Sequence, residues 1–149
     1  MSAFGVPIPE SQICIIQDGM TKQDALGALI NAVASNPAIT DKEVFRTAIF
    51  EREARLSTGI GGGIAIPHVR IPEVAESTVG VGIASKGIDF GAADQQPVQV
   101  VVLFATPAGA DKDYLKTLAQ VMLSLRNVDF FERLTACDTT EKAFGLLNR

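Results

Sequence analysis

The run Val98-Gln99-Val100-Val101-Val102-Leu103-Phe104-Ala105 is apolar at every position but one. Eight residues are far too few for a membrane-spanning helix, which needs roughly 20. The valines favour extended backbone, and side chains that are apolar on both faces belong to a strand buried on both faces. Thr78–Ala84 reads as a second strand, joined to the first by the polar, glycine-bearing stretch Lys86-Gly87-Ile88-Asp89-Phe90-Gly91, which suits an antiparallel return. Ile13-Cys14-Ile15-Ile16 reads as a further short strand.

Helical periodicity surrounds these strands. Thr21 and Asp24 open a helix whose apolar series is Leu26, Leu29, Ile30 and Val33, ended by Asn36-Pro37. Thr40-Asp41-Lys42-Glu43 has the reciprocal hydroxyl and carboxylate capping pattern, so a second helix is expected there, with Val44, Phe45, Ala48, Ile49 and Leu56 inward. A third runs from Asp111 with Leu115, Leu118, Val121, Met122 and Leu125 on one side. Val128-Asp129 breaks that pattern, Phe130–Ala136 makes a short amphipathic helix, and Asp138-Thr139-Thr140-Glu141 caps a last one near Asn148. Helices around central strands give an α/β fold with a mixed sheet. The 149 residues suit one domain over 1–149, burying roughly two-thirds of the unfolded chain's surface.

Composition then removes function classes. Thirteen Lys and Arg against 17 Asp and Glu give a net charge of −4, with no basic stripe to bind nucleic acid. Two distant cysteines, Cys14 and Cys137, and a single histidine cannot assemble a zinc site of Cys/His ligands, so no metal is expected. With no secretory signal and no membrane segment, the cysteines read as reduced and the chain as cytoplasmic.

After the second helix comes Ser57-Thr58-Gly59-Ile60-Gly61-Gly62-Gly63, a turn whose glycines can adopt positive φ and approach another group closely. Neither phosphate-binding glycine spacing is present, and the order helix, glycine turn, strand is wrong for both, so no nucleotide cofactor is expected. The next residues, Gly63-Ile64-Ala65-Ile66, read as a strand stopped by Pro67, which puts His68 at a strand end near the turn. A lone histidine is by itself compatible with an ordinary surface or core role. The apolar stripe of the second helix, however, is interrupted at position 52 by an arginine, which needs either a salt bridge to Glu51 or Glu53 or an anion in a polar cleft. No GxSxG nucleophile elbow accompanies His68. A neutral imidazole beside Arg52, Arg70 and free backbone amides can carry a phosphoryl group.

The segment from Glu51-Arg52-Glu53 through Ser57-Thr58-Gly59-Ile60-Gly61-Gly62-Gly63-Ile64-Ala65-Ile66-Pro67-His68 resembles the enzyme IIA domains of the bacterial phosphoenolpyruvate-dependent phosphotransferase system, in the fructose/mannitol/nitrogen-regulatory branch. The resemblance extends over most of the chain, through Gly87-Ile88-Asp89-Phe90, Gln96-Pro97-Val98 and Leu103–Leu118. It implies a three-layer α/β sandwich with a mixed central sheet. It also implies that His68 accepts a phosphoryl group on Nε2 from the histidine phosphocarrier protein and passes it to a IIB component for sugar uptake. In the same terms Arg52 is the active-site arginine, and Gly61, Gly62 and Gly63 let backbone approach the phosphorylated ring. Arg70 and Tyr114 join the binding set. Two positions depart from the family pattern: Tyr114 stands where a second histidine is usual, and Val69 stands where glycine commonly follows the acceptor. The alternative is a free-standing nitrogen-regulatory module whose phosphorylation state controls binding to target proteins; a member that binds partners without being phosphorylated is a third.

Overall fold

In the computed structural model, which describes residues 2–149, the strands are β1 (Ile13–Ile15), β2 (Gly59–Gly61), β3 (Ile64–Ala65), β4 (His68–Arg70), β5 (Thr78–Ile88) and β6 (Val98–Thr106). The helices are α1 (Lys22–Ala34), α2 (Lys42–Arg55), α3 (Asp111–Leu125), α4 (Val128–Thr135) and α5 (Thr140–Leu147). The apolar run is β6, the strand to which three others pair. It runs antiparallel to β5, with Val81 opposite Val102, and parallel to both β3 and β4, with Ile64 opposite Val100 and His68 opposite Phe104. β1 pairs parallel with β5 and β2 antiparallel with β3, giving the mixed sheet.

Alternation along β6 divides the core in two. Val101, Leu103 and Ala105 pack with Leu29, Ile30 and Val33 of α1 and Phe45 and Ile49 of α2. Val100, Val102 and Phe104 pack with Phe4 and Ile8 and with Val121, Leu125, Leu134 and Leu147 from α3 to α5. The sheet is therefore the middle of three layers. α1 lies close on β5 because Gly80 leaves room: a Cβ there would stand 2.3 Å from Val33 Cγ2.

Helix starts follow local chemistry. Thr21 Oγ1 accepts from the Asp24 amide, and Thr139 Oγ1 accepts from the Lys142 amide. α2 corrects the expected capping box by one residue: Asp41 Oδ1 accepts from the Val44 amide, and Thr40 Oγ1 instead donates to the Glu73 carbonyl. Its buried stripe is Phe45, Ile49 and Glu53, while Val44 and Leu56 are exposed. On α3 the inward series begins with half-buried Tyr114 and continues through Leu118, Val121, Met122 and Leu125, leaving Leu115 exposed. Val128 and Asp129 do not separate two helices but form the first turn of α4, capped by Asn127 Oδ1 on the Phe130 amide. Cys14 and Cys137 are both free thiols. Among the described residues no helix is long and apolar enough to cross a membrane.

Candidate functional site

His68 follows the end of β3 at Ala65, as the proline suggested, and it also opens a new strand. Pro67 has no amide to donate, yet its carbonyl accepts from the Phe104 amide at 2.9 Å, so pairing against β6 resumes immediately as β4. Alternation along β4 puts His68 and Arg70 on one face and sends Val69 to the other, into the core with Phe45 and Ile49. The valine that follows His68 is thus absorbed by the core.

The imidazole is fixed by its first ring nitrogen. Nδ1 lies 3.1 Å from the Ile66 carbonyl oxygen, which can only accept, so Nδ1 is the donor and the tautomer of the neutral ring is the one with its lone pair on Nε2. A chain of hydrogen bonds places that carbonyl. The buried Glu53 carboxylate accepts from the Thr58 amide at 2.8 Å and from Thr58 Oγ1 at 2.6 Å; the Thr58 carbonyl accepts from the Ile66 amide at 3.0 Å. Lys22 Nζ, 2.8 Å from Glu53 Oε2, balances the charge and sits over the Phe90 ring.

Arg52 therefore has no carboxylate partner among the described residues. Its Nη1 donates to the Leu56 carbonyl at 3.0 Å, capping its own helix, and the side chain lines an open cleft of about 400 Å³ with Arg55, His68 and Arg70. Glu51 also faces this cleft, leaving three guanidinium groups against one carboxylate in the lining. Salt-bridge pairing of Arg52, one of the two expectations for it, is not what forms. Arg55 was not singled out from the sequence; the available signal was its position one helical turn after Arg52.

Tyr114 closes the other side of the histidine. Its ring is 5.3 Å from that of His68 at an interplanar angle of 32°, and Phe104 meets it edge-on. Arg70 lies above the same phenol, 5.8 Å from the ring centroid, and its Nη1 is 2.5 Å from Asp111 Oδ1. Burial pushes the Tyr114 hydroxyl above the usual phenol range, against the pull of Arg70 and Arg52, so it is a neutral hydrogen-bond donor at neutral pH.

The glycine turn stands apart from these groups. Gly61, Gly62 and Gly63 all have positive φ, as the run requires, but they make the tip of the β2–β3 hairpin and do not line the cleft. The Gly62 amide donates to Asp94 Oδ2 at 3.0 Å. Hydrogen bonds from the Gln96 and Gly62 amides hold the Asp94 carboxyl below the usual carboxylate range. The structure thus brings His68, Arg52, Arg70 and Tyr114 together and leaves the three glycines outside. Among the described residues no group of His, Cys, Asp and Glu side chains could hold a metal ion.

The sequence matches the model of the family described as phosphoenolpyruvate-dependent sugar phosphotransferase system, EIIA 2, over residues 7–149. It is 29% identical over 139 residues to the fructose-specific EIIA component of the PTS system from Haloferax volcanii, covering 93% of this chain and 90% of that protein. It is 34% identical over 128 residues to the nitrogen regulatory protein of Escherichia coli K12, covering 85% and 78%. The fold matches that of mannitol enzyme IIA from Escherichia coli, solved in complex with phosphorylated mannitol enzyme IIB. The TM-score is 0.78 at 18% identity, with 94% of this chain and 96% of that one covered.

Proposed function

The chain belongs to the EIIA 2 family of the phosphoenolpyruvate-dependent sugar phosphotransferase system, and from that premise we propose that it carries a phosphoryl group on His68. The donor is the histidine phosphocarrier protein and the recipient a IIB component serving sugar uptake. The observation that carries this reading is the hydrogen bond from His68 Nδ1 to the Ile66 carbonyl, which in the neutral imidazole makes Nε2 the nucleophilic nitrogen of an arginine-lined cleft.

The chemistry balances without an external base. Nε2 attacks phosphorus as the P–N bond to the donor imidazole breaks, and that imidazole takes back the bonding pair. The Nδ1 proton stays on His68, where the Ile66 carbonyl stabilises the positive character the ring acquires on phosphorylation. Arg52 and Arg70 offset the negative charge of the phosphoryl oxygens, the kind of electrostatic assistance that dominates phosphoryl transfer. Tyr114 supplies a neutral hydroxyl donor where family members usually have a second imidazole. The reading puts the protein in the cytoplasm, with Cys14 and Cys137 reduced.

Incubation with phosphoenolpyruvate, enzyme I and the phosphocarrier should place an acid-labile, alkali-stable phosphate on the wild type and none on His68→Ala. Label that persists in the variant, or never appears on the wild type, overturns the acceptor assignment. A second reading, regulatory control of target proteins, is favoured by the higher identity to the nitrogen regulatory protein. Addition of a fructose-type IIB component separates the two: loss of label from His68 to a IIB cysteine supports transport, and retention supports regulation.

A further inference from the structure

Arg70 stands at a fork. It shares the His68 face of β4, two residues along, and its guanidinium lies over the ring of Tyr114, which itself stacks on the imidazole. Yet its Nη1 is engaged by Asp111 Oδ1, a carboxylate in the first turn of α3. Both members of the pair are substantially exposed, at 43% and 64% of the side chain. An exposed pair of this kind is worth at most about a fivefold bias between paired and unpaired states. A phosphoryl dianion on Nε2 carries twice the charge of the carboxylate and three acceptor oxygens, so it outcompetes Asp111 once it arrives. Before it arrives, Asp111 holds the guanidinium back.

We infer that Asp111 is a positioning residue that sets the readiness of the acceptor. It parks Arg70 in the unphosphorylated chain, and Arg70 exchanges Asp111 for the phosphoryl oxygens when His68 is phosphorylated. Tyr114 is the plate across which the guanidinium moves, keeping it near the ring in both positions. The inference rests on His68 being the phosphoryl acceptor. It adds a device in which one carboxylate makes phosphorylation less favourable and the unphosphorylated surface different, since α3 opens with a paired Asp111 in one state and a free one in the other.

The test uses the full chain, labelled either by the phosphocarrier relay or by phosphoramidate as a small phosphoryl donor, with initial rate and phosphohistidine lifetime as readouts. Asp111→Asn should raise both about two- to fivefold, and Asp111→Glu should restore wild-type values. Arg70→Gln should lower both, and adding Asp111→Asn to it should change nothing further. Asp113→Asn removes the same charge two residues away, where no ion pair to Arg70 exists, and should leave both readouts unchanged. The latch is overturned if Asp111→Asn is neutral or slower, if it gains equally in the Arg70→Gln background, or if Asp113→Asn reproduces it. No label on the wild type from either donor overturns the acceptor reading and the latch together, whereas label on His68 without an Asp111 effect overturns the latch alone.

Discussion

Arg52 and Glu53 are neighbours with opposite fates. Ile49 lies three residues before one and four before the other, so helical periodicity admits either to the covered face. The carboxylate takes the buried place because Thr58 and Lys22 meet it there, and the arginine is left at the cleft with, among the described residues, only the Leu56 carbonyl as a partner. One exposed hydrogen bond of that kind contributes about 1 kcal/mol or less. Arg52→Ala should therefore keep the fold, with a thermal midpoint within a few degrees of wild type, and slow labelling of His68 about tenfold to a hundredfold through lost charge stabilisation. A variant that unfolds while the residual folded fraction labels at the normal rate would make Arg52 structural. Tyr114 differs in kind: a phenol hydroxyl, neutral at pH 7, can donate one hydrogen bond but cannot add a positive charge.

At the scale of elements, the last turn of α2, the β2–β3 hairpin and the start of β4 are one assembly, connected through Glu53, Thr58, Ile66 and His68. Glu53→Ala leaves the Thr58 amide and hydroxyl without their acceptor and the Lys22 ammonium without its counter-charge, although Lys22 keeps its bond to the Phe90 carbonyl. Breaking a buried pair in this way should cost about 3 kcal/mol in urea unfolding. In the folded fraction the His68 Nδ1 proton should also exchange faster, which a merely local loss of packing would not produce. Normal stability with an unchanged Nδ1 signal would contradict the relay. These links show why some elements were legible in the sequence and others were not. The caps at Thr21 and within Asp138-Thr139-Thr140-Glu141 are local, as is the helical spacing of Phe45 and Ile49, and such signals are legible in the sequence. The choice between Arg52 and Glu53 depends on residues from two other elements, which periodicity cannot see. Leu56 and Leu115 lie on extrapolated stripes, but one falls just past the end of its helix and the other on a turn that no neighbour covers. β4 is not legible in the sequence because Pro67 signals only the donor it lacks, whereas the pairing passes through its carbonyl. The candidate site was legible where the chemistry is unusual, in a cation on an apolar stripe and a lone histidine after a proline, and the glycine turn was assigned to it although Asp94 holds it elsewhere.

The whole molecule is organised by β6, whose two faces feed separate cores, and by its own ends. The Ala3 amide donates to the Leu147 carbonyl, and Asn148 bonds the Ile8 amide and carbonyl through its side chain, so the N-terminal segment is fastened to α5. The core on that face contains Phe4, Ile8 and Leu147 and extends to Tyr114 beside the cleft, while the opposite core contains residues of α1 and of α2, the helix that brings Arg52 and Glu53. The site straddles both cores, and neither layer can be lost without disassembling it. Since the chain has one tyrosine and no tryptophan, intrinsic fluorescence reports Tyr114 and hence the site face alone. Leu103→Ala opens a cavity in one core and Val102→Ala in the other, at about 3 kcal/mol and about 2 kcal/mol respectively. If the shared strand makes the layers one cooperative unit, each variant should lower a single urea midpoint that is the same by far-UV circular dichroism and by tyrosine fluorescence. Loss of the tyrosine signal at lower urea than the loss of helix in Val102→Ala, but not in Leu103→Ala, would show instead that the α3–α5 face opens independently and takes the phenol away from His68 while the α1–α2 layer stays folded.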